Sequence, residues 1–381
     1  KLGDVYKQRD NWEAEIALYE MILSDPKKIK TLIKAECFKR IGNIFNYKGQ
    51  YIDALRYFKK AYNIYRGLLD IGEILIIREK IAKVFVNTGK FREALVEYKL
   101  IYETAERQHL EAEFERALNG IGIIYAKQGR YNESIKMLNK YHNIALAKGD
   151  KIGIGRALLN KGEIFIRLGE YKMAEESYYN AILLFKGLNK THDLGLCYSN
   201  LAAIQFYRSN YNKALFFITK NLRIMHALGD EAGIARAMGI KGSCYINSGQ
   251  YDIALQHLDV QLKIAKSLGR VHSIALAHGN LGLVNIELGN FAVAQKHLRQ
   301  QLRLDAKIQN IEGIIRALCN FGYMHRYLDK YTIAHRLFQK ALKLETLRQD
   351  RVNMKMIVTS ILDVLIEKQK FADASLIFDR F

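Results

Sequence analysis

Apolar residues recur along this sequence at spacings of three and four, the pattern of helices that bury one face. One clear stripe consists of Phe114, Ala117, Leu118, Ile121, Ile124 and Tyr125. A second consists of Ala254, Leu255, Leu258, Leu262 and Ala265. Short segments with glycine, such as Gly129-Arg130 and Gly249-Gln250, separate such stripes and predict turns. The pattern therefore predicts helices joined by short turns. Pro26 is the one proline, so no proline breaks any helix predicted after it.

The helical pattern repeats with a period of 40 residues. Small residues recur at Gly42, Ala82, Gly122, Gly162, Ala202, Gly242, Gly282 and Gly322. Aromatic residues recur at Tyr51, Phe91, Tyr131, Tyr171, Tyr211, Tyr251, Phe291, Tyr331 and Phe371, and a further small residue, such as Ala54, follows each by three positions. Small residues allow two helices to approach closely, so each period predicts a hairpin of a first helix, here helix A, and a second, here helix B.

The period divides the chain into about ten hairpins. We predict an all-α fold, a single α-solenoid over residues 1–381, with approximate repeats 1–30, 31–70, 71–110, 111–150, 151–190, 191–230, 231–270, 271–310, 311–350 and 351–381. The first repeat is degenerate, since Leu2-Gly3 and Trp12 match later repeats only with a shift of 39. The last is truncated. Because solenoids need polar capping ends, we expect the chain to be part of a longer protein.

The small and aromatic positions resemble those of the tetratricopeptide repeat, lengthened from its usual ~34 residues. The segment Ile224–Leu283, with Leu228-Gly229-Asp230, Ala235-Arg236-Ala237 and Asn280-Leu281-Gly282, resembles the repeats of LGN/Pins-type polarity adaptors. Similar extended repeats occur in Tonsoku-like and ciliary tetratricopeptide proteins and in bacterial peptide-sensing regulators. The resemblance implies a right-handed superhelix whose A helices line a concave groove that clamps a partner. The G-protein-binding motifs of the LGN/Pins group are not visible.

The charge balance favours anionic partners. The chain has 59 Lys and Arg against 39 Asp and Glu, a formal net charge of +20. This sign suits acidic peptides, acidic cytoskeletal surfaces and nucleic acid alike. Nucleic acid is the less favoured of these, because the aromatic residues occupy core positions of the repeat instead of an exposed stacking platform.

Cysteine usage and hydropathy bear on where the protein acts. Cys37, Cys197, Cys244 and Cys319 form no CxxC pair, so they predict neither a zinc site nor a disulfide framework and suit a reducing compartment. No apolar run approaches the ~18–20 residues that span a bilayer, so no membrane insertion is predicted. We expect a cytoplasmic protein with a setting in a cortical, cytoskeletal or ciliary assembly.

Cationic and amide side chains recur on one face of helix A. The positions equivalent to 36, 40, 43 and 47 fall within a narrow arc beside the core stripe and face the expected groove. The candidate binding residues there are Arg40, Asn43, Lys80, Lys83, Arg116, Arg156, Asn160, Arg167, Asn200, Arg236, Asn280, Arg316 and Asn320. Guanidinium groups bind carboxylates through a planar fork, and asparagine both donates to and accepts from a peptide backbone. We predict that this face binds an acidic extended or helical segment of a partner protein.

Two plainer interpretations apply to the same residues. Arginine and asparagine on helix faces are commonly solvated, and some of these asparagines would only bond the backbone of a neighbouring repeat. Separately, Lys39, Asn43 and Lys80 partly resemble the clamp with which chaperone-binding tetratricopeptide domains grip a terminal carboxylate. That clamp has asparagine where Lys80 stands.

The sequence contains no common catalytic signature. It has no GxxxxGK[ST] phosphate loop, no HExxH, no GxSxG and no calcium loop. Gly153-Ile154-Gly155 is a fragment of a dinucleotide fingerprint without a preceding strand. We therefore predict no enzyme activity, cofactor or metal. The leading expectation is a protein-interaction scaffold, and the alternative is a peptide-sensing or regulatory module of a larger signalling protein whose effector domain is absent from this chain.

Overall fold

The structure, a computed structural model, describes residues 12–24, 30–188, 191–348, 351–370, 373–375 and 377. Within these residues the chain forms helices and no strands, so the predicted all-α fold is confirmed. The predictions for Leu2-Gly3 and for Phe371 lie outside the described residues.

The described helices follow one another with a regular spacing. They are α1 (Trp12–Leu23), α2 (Thr31–Tyr47), α3 (Tyr51–Gly67), α4 (Ile71–Asn87), α5 (Phe91–Arg107), α6 (Glu111–Lys127), α7 (Tyr131–Ala147), α8 (Lys151–Leu168), α9 (Tyr171–Gly187), α10 (Thr191–Tyr207), α11 (Tyr211–Leu228), α12 (Glu231–Asn247), α13 (Tyr251–Ser267), α14 (Val271–Glu287), α15 (Phe291–Lys307), α16 (Ile311–Tyr327), α17 (Tyr331–Arg348) and α18 (Arg351–Glu367). From α2 onward the even-numbered helices are helices A and the odd-numbered helices are helices B.

Local sequence explains where these helices begin and end. Within hairpins, Gly49 and Gly249 take φ values of 75° and 72°, a left-handed conformation that glycine adopts without a Cβ clash. Between hairpins, the Asp70 and Asp230 side chains accept hydrogen bonds from the backbone N–H groups of Glu73 and Gly233. These aspartates satisfy donors that the first turn of a helix leaves free.

The recurring small residues hold the two helices of each hairpin together. A Cβ atom added at Gly42 would lie 2.7 Å from the Phe58 ring, and one at Gly162 would lie 2.7 Å from the Tyr178 ring. Phe58 and Tyr178 are fully buried. The aromatic ring of helix B thus occupies the space that the missing side chain leaves on helix A, at the close packing typical of protein interiors.

Two compact units divide the chain. Unit 1 comprises Lys1–Ile124 with Leu268–Val271, and unit 2 comprises Tyr125–Ser267 with His272–Phe381. Within unit 1, α2 packs on α3, and α3 packs on α4. Within unit 2, α9 packs on both α8 and α10, and α17 packs on both α16 and α18. Each unit is therefore a stack of consecutive helix pairs, the packing of an α-solenoid. The single solenoid over all ten repeats stays a prediction.

Candidate binding surfaces

In each unit, the helix-A face comprises the positions equivalent to 36, 40, 43 and 47. In unit 1 three of its cations, Arg40, Lys83 and Arg116, are paired with carboxylates of the same protein. Arg40 Nε donates to Glu36 Oε1 at 2.8 Å, and Lys83 pairs with Glu79. Arg116 Nε lies 3.5 Å from Glu79 Oε2, and its guanidinium also pairs with Glu113.

Sequence reasoning missed these carboxylates, although the signal was present. Glu36 precedes Arg40 by four residues, and Glu79 precedes Lys83 by four. This spacing places opposite charges side by side on a helix surface. The predicted cations are therefore part of a mixed-charge surface.

Lys39 and Lys80 differ in their partners. Lys39 Nζ lies 2.8 Å from Glu73 Oε2 and also pairs with Glu36, with 13% of the Lys39 side chain exposed. Burial opposes the charge of Lys39, but the hydrogen bonds to Glu36 and Glu73 outweigh it and raise its pKa. Because these carboxylates already occupy Lys39, the structure does not support the carboxylate clamp.

Lys80 is a half-buried cation that forms no ion pair with the described residues. Among the described residues, no carboxylate oxygen lies within 4.0 Å of its Nζ. Burial lowers the pKa of Lys80, and the neighbouring charge of Lys83 lowers it further. A carboxylate placed beside Lys80 would relieve both effects.

The predicted arginines of unit 2 also differ in whether a carboxylate of the protein lies beside them. Arg156 lies 3.9 Å from Asp193, Arg167 lies 3.0 Å from Glu163, and Arg316 lies 3.5 Å from Glu312. Arg236 is exposed, and no carboxylate of the described chain lies within 4.0 Å of its guanidinium. Arg236 therefore remains the unit 2 arginine best placed to meet a partner's anion.

The predicted asparagines serve internal contacts at two positions. Asn320 is 7% exposed, and its Nδ2 donates to the backbone oxygen of Gly279 in the preceding helix A at 3.5 Å. Asn280 Nδ2 donates to Gln261 Oε1 at 3.3 Å. Asn43, Asn160 and Asn200 are half-buried. Asn320 and Asn280 thus follow the plainer interpretation, in which the amide links neighbouring helices.

A cleft of about 850 Å³ opens in unit 2, a region that sequence reasoning did not single out. Its lining includes Tyr251, Glu287, Tyr323, Arg326, Tyr327, Asp329, Tyr331 and Glu367. These residues come from α13, α14, α16, α17 and α18 and from the turn before α17. The position equivalent to 47 was part of the predicted face, but its residues Glu287, Tyr327 and Glu367, one in each of three successive repeats, were not among the candidates. We call this feature the tyrosine cleft.

Hydrogen bonds between successive repeats shape the tyrosine cleft. Arg326 donates to Glu367 Oε1 from Nη2 at 2.7 Å and from Nε at 2.9 Å, and its Nη1 lies 3.3 Å from Asp363 Oδ2. The Tyr327 hydroxyl donates to Glu287 at 3.2 Å. The hydrogen bonds to Glu367, with the charges of that residue and Asp363, raise the pKa of Arg326. Arg326 is thus held by carboxylates of the following helix A.

The described residues show no metal centre. No group of three or more His, Cys, Asp or Glu side chains comes together among them in a way that could hold a metal ion. None of the helices they form is both long and apolar enough to cross a membrane.

Among known families, the model of the tetratricopeptide repeat matches this chain at residues 113–186 and 273–344. These two segments are similar to tetratricopeptide repeats. Each match covers consecutive helices A and B of the 40-residue pattern. A comparison with curated protein sequences gives no match. The finer resemblance to LGN/Pins-type and Tonsoku-like adaptors stays a prediction.

Solved structures share the tetratricopeptide-repeat fold over most of the chain. A Rap protein complexed with competence and sporulation factor has a TM-score of 0.61 at 13% identity, covering 92% of this chain and 96% of that chain. Aspartyl phosphate phosphatase F from Bacillus subtilis has a TM-score of 0.59 at 15% identity, covering 92% and 94%. A signal transduction ATPase with a tetratricopeptide repeat sensor, from Pyrococcus horikoshii, has a TM-score of 0.55 at 14% identity, covering 94% and 57%. At these identities the likeness concerns the fold.

Proposed function

We propose that this chain is a protein-interaction module that binds an acidic segment of a partner protein through its helix-A face. The observation that carries the proposal is Lys80, a half-buried cation with no carboxylate within 4.0 Å among the described residues. Arg40, Lys83 and Arg116 are further cations of this face on α2, α4 and α6, at the positions equivalent to 40, 43 and 36. A repeat fold that holds a partner in this way needs no catalytic group. We place the protein in the cytoplasm, in a cortical, cytoskeletal or ciliary assembly.

Whether a cation already has a carboxylate partner determines how much it is expected to contribute to partner binding. A partner carboxylate beside Lys80 forms a charge-assisted hydrogen bond without displacing a group of the protein. A carboxylate that approaches Arg116 must share the guanidinium with Glu79 and Glu113. Lys80 should therefore contribute more to binding than Arg116, and exposed Arg236 should provide a separate contact in unit 2.

Selection from a random 12-residue peptide display library tests the proposal. Peptides retained by the protein should be enriched in Asp and Glu. Lys80→Gln should weaken binding of the best selected peptide about tenfold, since hydrogen bonds to charged groups are worth about 1.5–3 kcal/mol. Arg116→Gln should weaken it about threefold or less. Fluorescence polarisation with the labelled peptide measures both.

Lys99→Gln is the matched control. Lys99 is exposed on α5, a helix B of the same unit, so this variant makes the same charge change away from the helix-A face. The proposal fails if selected peptides show no acidic enrichment, or if Lys80→Gln and Lys99→Gln weaken binding equally.

A peptide-sensing or regulatory module is the second candidate. The fold likeness to the Rap protein covers nearly the whole of both chains, and that protein is complexed with competence and sporulation factor. The Pyrococcus protein carries its repeats as a sensor. A sensor should change conformation when the selected peptide binds, whereas a scaffold should not. The radius of gyration from small-angle X-ray scattering, with and without peptide, separates the two.

A further inference from the structure

We infer that the tyrosine cleft of unit 2 binds a basic side chain, lysine or arginine, of a partner polypeptide. The cleft includes position 47 of the helix-A face in α14, α16 and α18, but the inference uses none of the cations Lys80, Arg116 and Arg236 of the proposed function. It concerns a ligand of the opposite charge. An acidic segment would meet Glu287 and Glu367 there and be repelled.

The charges around the cleft are predominantly negative. Glu287, Asp329 and Glu367 line it, and Asp363 stands beside Arg326, the one cation among the described lining residues. Arg326 is already engaged by Glu367 and Asp363. In the described part of the chain, no lysine or arginine nitrogen lies within 4.0 Å of the Glu287 carboxylate. A protein with a net charge of +20 thus keeps an acidic cleft, in which Glu287 has no basic side chain beside it.

The aromatic lining suits a cation as well. Tyr327 is 57% exposed, and its hydroxyl donates to Glu287 at 3.2 Å. An exposed aromatic ring whose hydroxyl is fixed on a carboxylate offers a cation both its face and the anion beside it. Tyr251, Tyr323 and Tyr331 add further half-buried rings.

The size of the cleft favours a side chain carried by a peptide. Its volume of about 850 Å³ falls within the range of ligand pockets, roughly 300–1,000 Å³. A lone ammonium ion would leave most of this space empty. A basic side chain with its flanking backbone can contact helices A of three successive repeats, α14, α16 and α18.

Binding of fluorescein-labelled hexalysine, compared with labelled hexaglutamate, tests the inference. At about 0.1 M salt the Debye length is near 10 Å, so distant charges are largely screened and the local cleft decides the result. Hexalysine should bind, and Glu287→Gln should weaken its binding about three- to tenfold. Tyr327→Phe, which keeps the ring, should bind more tightly than Tyr327→Leu, which removes it.

Glu176→Gln is the matched control, because Glu176 is exposed on α9, a helix B of the same unit. A photo-crosslinking benzoylphenylalanine at the end of hexalysine should yield adducts on α14, α16 or α18 by mass spectrometry. No binding of hexalysine, equal losses in Glu287→Gln and Glu176→Gln, or adducts confined to other helices would each overturn the inference. Glu287→Gln removes a negative charge and leaves Lys80 and Arg236 in place, so it should not weaken binding of the selected acidic peptide, and this test and that of the proposed function fail separately.

Discussion

The hairpins α2–α3 and α14–α15 are built on one frame and carry different chemistry. Gly282 stands 240 residues after Gly42, six periods along the chain. A Cβ atom at Gly42 would lie 2.7 Å from the Phe58 ring, and one at Gly282 would lie 2.5 Å from a methyl carbon of Leu298. The glycine is common to both hairpins, whereas the side chain that fills the space has changed.

The A helices of the two hairpins, α2 and α14, carry net charges of opposite sign. Helix α2 carries Lys39, Arg40 and Glu36 on or beside its helix-A face, and Tyr65 lies buried in α3. Helix α14 has one carboxylate, Glu287, and Asp305 occupies the buried position of Tyr65 in α15. The comparison teaches that the solenoid constrains the small residues at the helix crossing and the apolar core positions around them. The remaining positions are free to select partners of either sign.

Overpacking the shared glycine should produce the largest effect in both hairpins. Gly42→Leu and Gly282→Leu should each lower the free energy of unfolding by about 2–3 kcal/mol, because overpacking outweighs the gain in helix propensity. Urea unfolding followed by circular dichroism measures the loss. Gly67→Leu is the control, since no atom lies within 4 Å of a Cβ placed there. A loss at only one of the two sites would break the equivalence of the hairpins.

Asp305→Asn should have the next largest effect. Asp305 is 1% exposed, and burial raises its pKa to about 6 from 3.8. The folded protein therefore holds this proton more tightly, and its stability falls as pH rises from about 4 to 6. Asparagine removes the buried charge and can still accept the hydrogen bond from Asn310. We expect the free energy of unfolding at pH 7 to rise by about 2 kcal/mol.

Asp252→Asn is the control for that measurement, because Asp252 is exposed on α13. An increase of equal size in this control, or no increase in Asp305→Asn, would contradict the assignment of Asp305 as a costly buried carboxylate.

The histidine pair of α14–α15 should give the smallest effect, with the opposite dependence on pH. His278 Nδ1 lies 2.9 Å from His297 Nδ1, where the first hairpin has Phe38 and Tyr57. Burial, and next His297, lower the pKa of His278 to about 4 from 6.5. The stability that its neutral form provides is complete above pH 6.5 and is lost as pH falls toward 4.

Replacing the pair by its counterparts, His278→Phe with His297→Tyr, should remove this loss. Between pH 4 and 6, acidification stabilises the fold through Asp305 and destabilises it through His278. Removing one of these groups should therefore expose the pH dependence that the other causes. Asp305→Asn should become less stable on acidification, and the double variant should become more stable. Parallel pH profiles for both variants would show that the hairpin does not titrate in this way.

The fold could be predicted from the sequence because steric exclusion restricts a few positions to one kind of residue. Gly162, for example, lies against the Tyr178 ring, and its counterparts recur at the period of the repeat. The charged surface was predictable only in part. The residue types at Arg40 and Lys83 showed that cations recur, but their partners Glu36 and Glu79 follow from a four-residue spacing that the groove prediction did not use.

The tyrosine cleft required information that a single repeat does not contain. Glu287 and Tyr327 belong to different repeats, and their contact depends on how successive helices A stack. Asp305 shows a related difficulty, since a carboxylate in a core stripe does not reveal whether it is buried or turned outward. The sequence of each repeat predicts its helices and turns, whereas the packing between repeats determines which side chains contact one another.

The bonds from Arg326 to Glu367 and from Tyr327 to Glu287 tie three consecutive helices A to one another. In a linear array each repeat is supported only by its neighbours, so fraying starts at an end and travels inward. A ligand that contacts α14, α16 and α18 together would stabilise the packing of those repeats against one another. Ligand binding in the cleft should then slow amide hydrogen exchange in α18, a helix that is distant in sequence from Glu287.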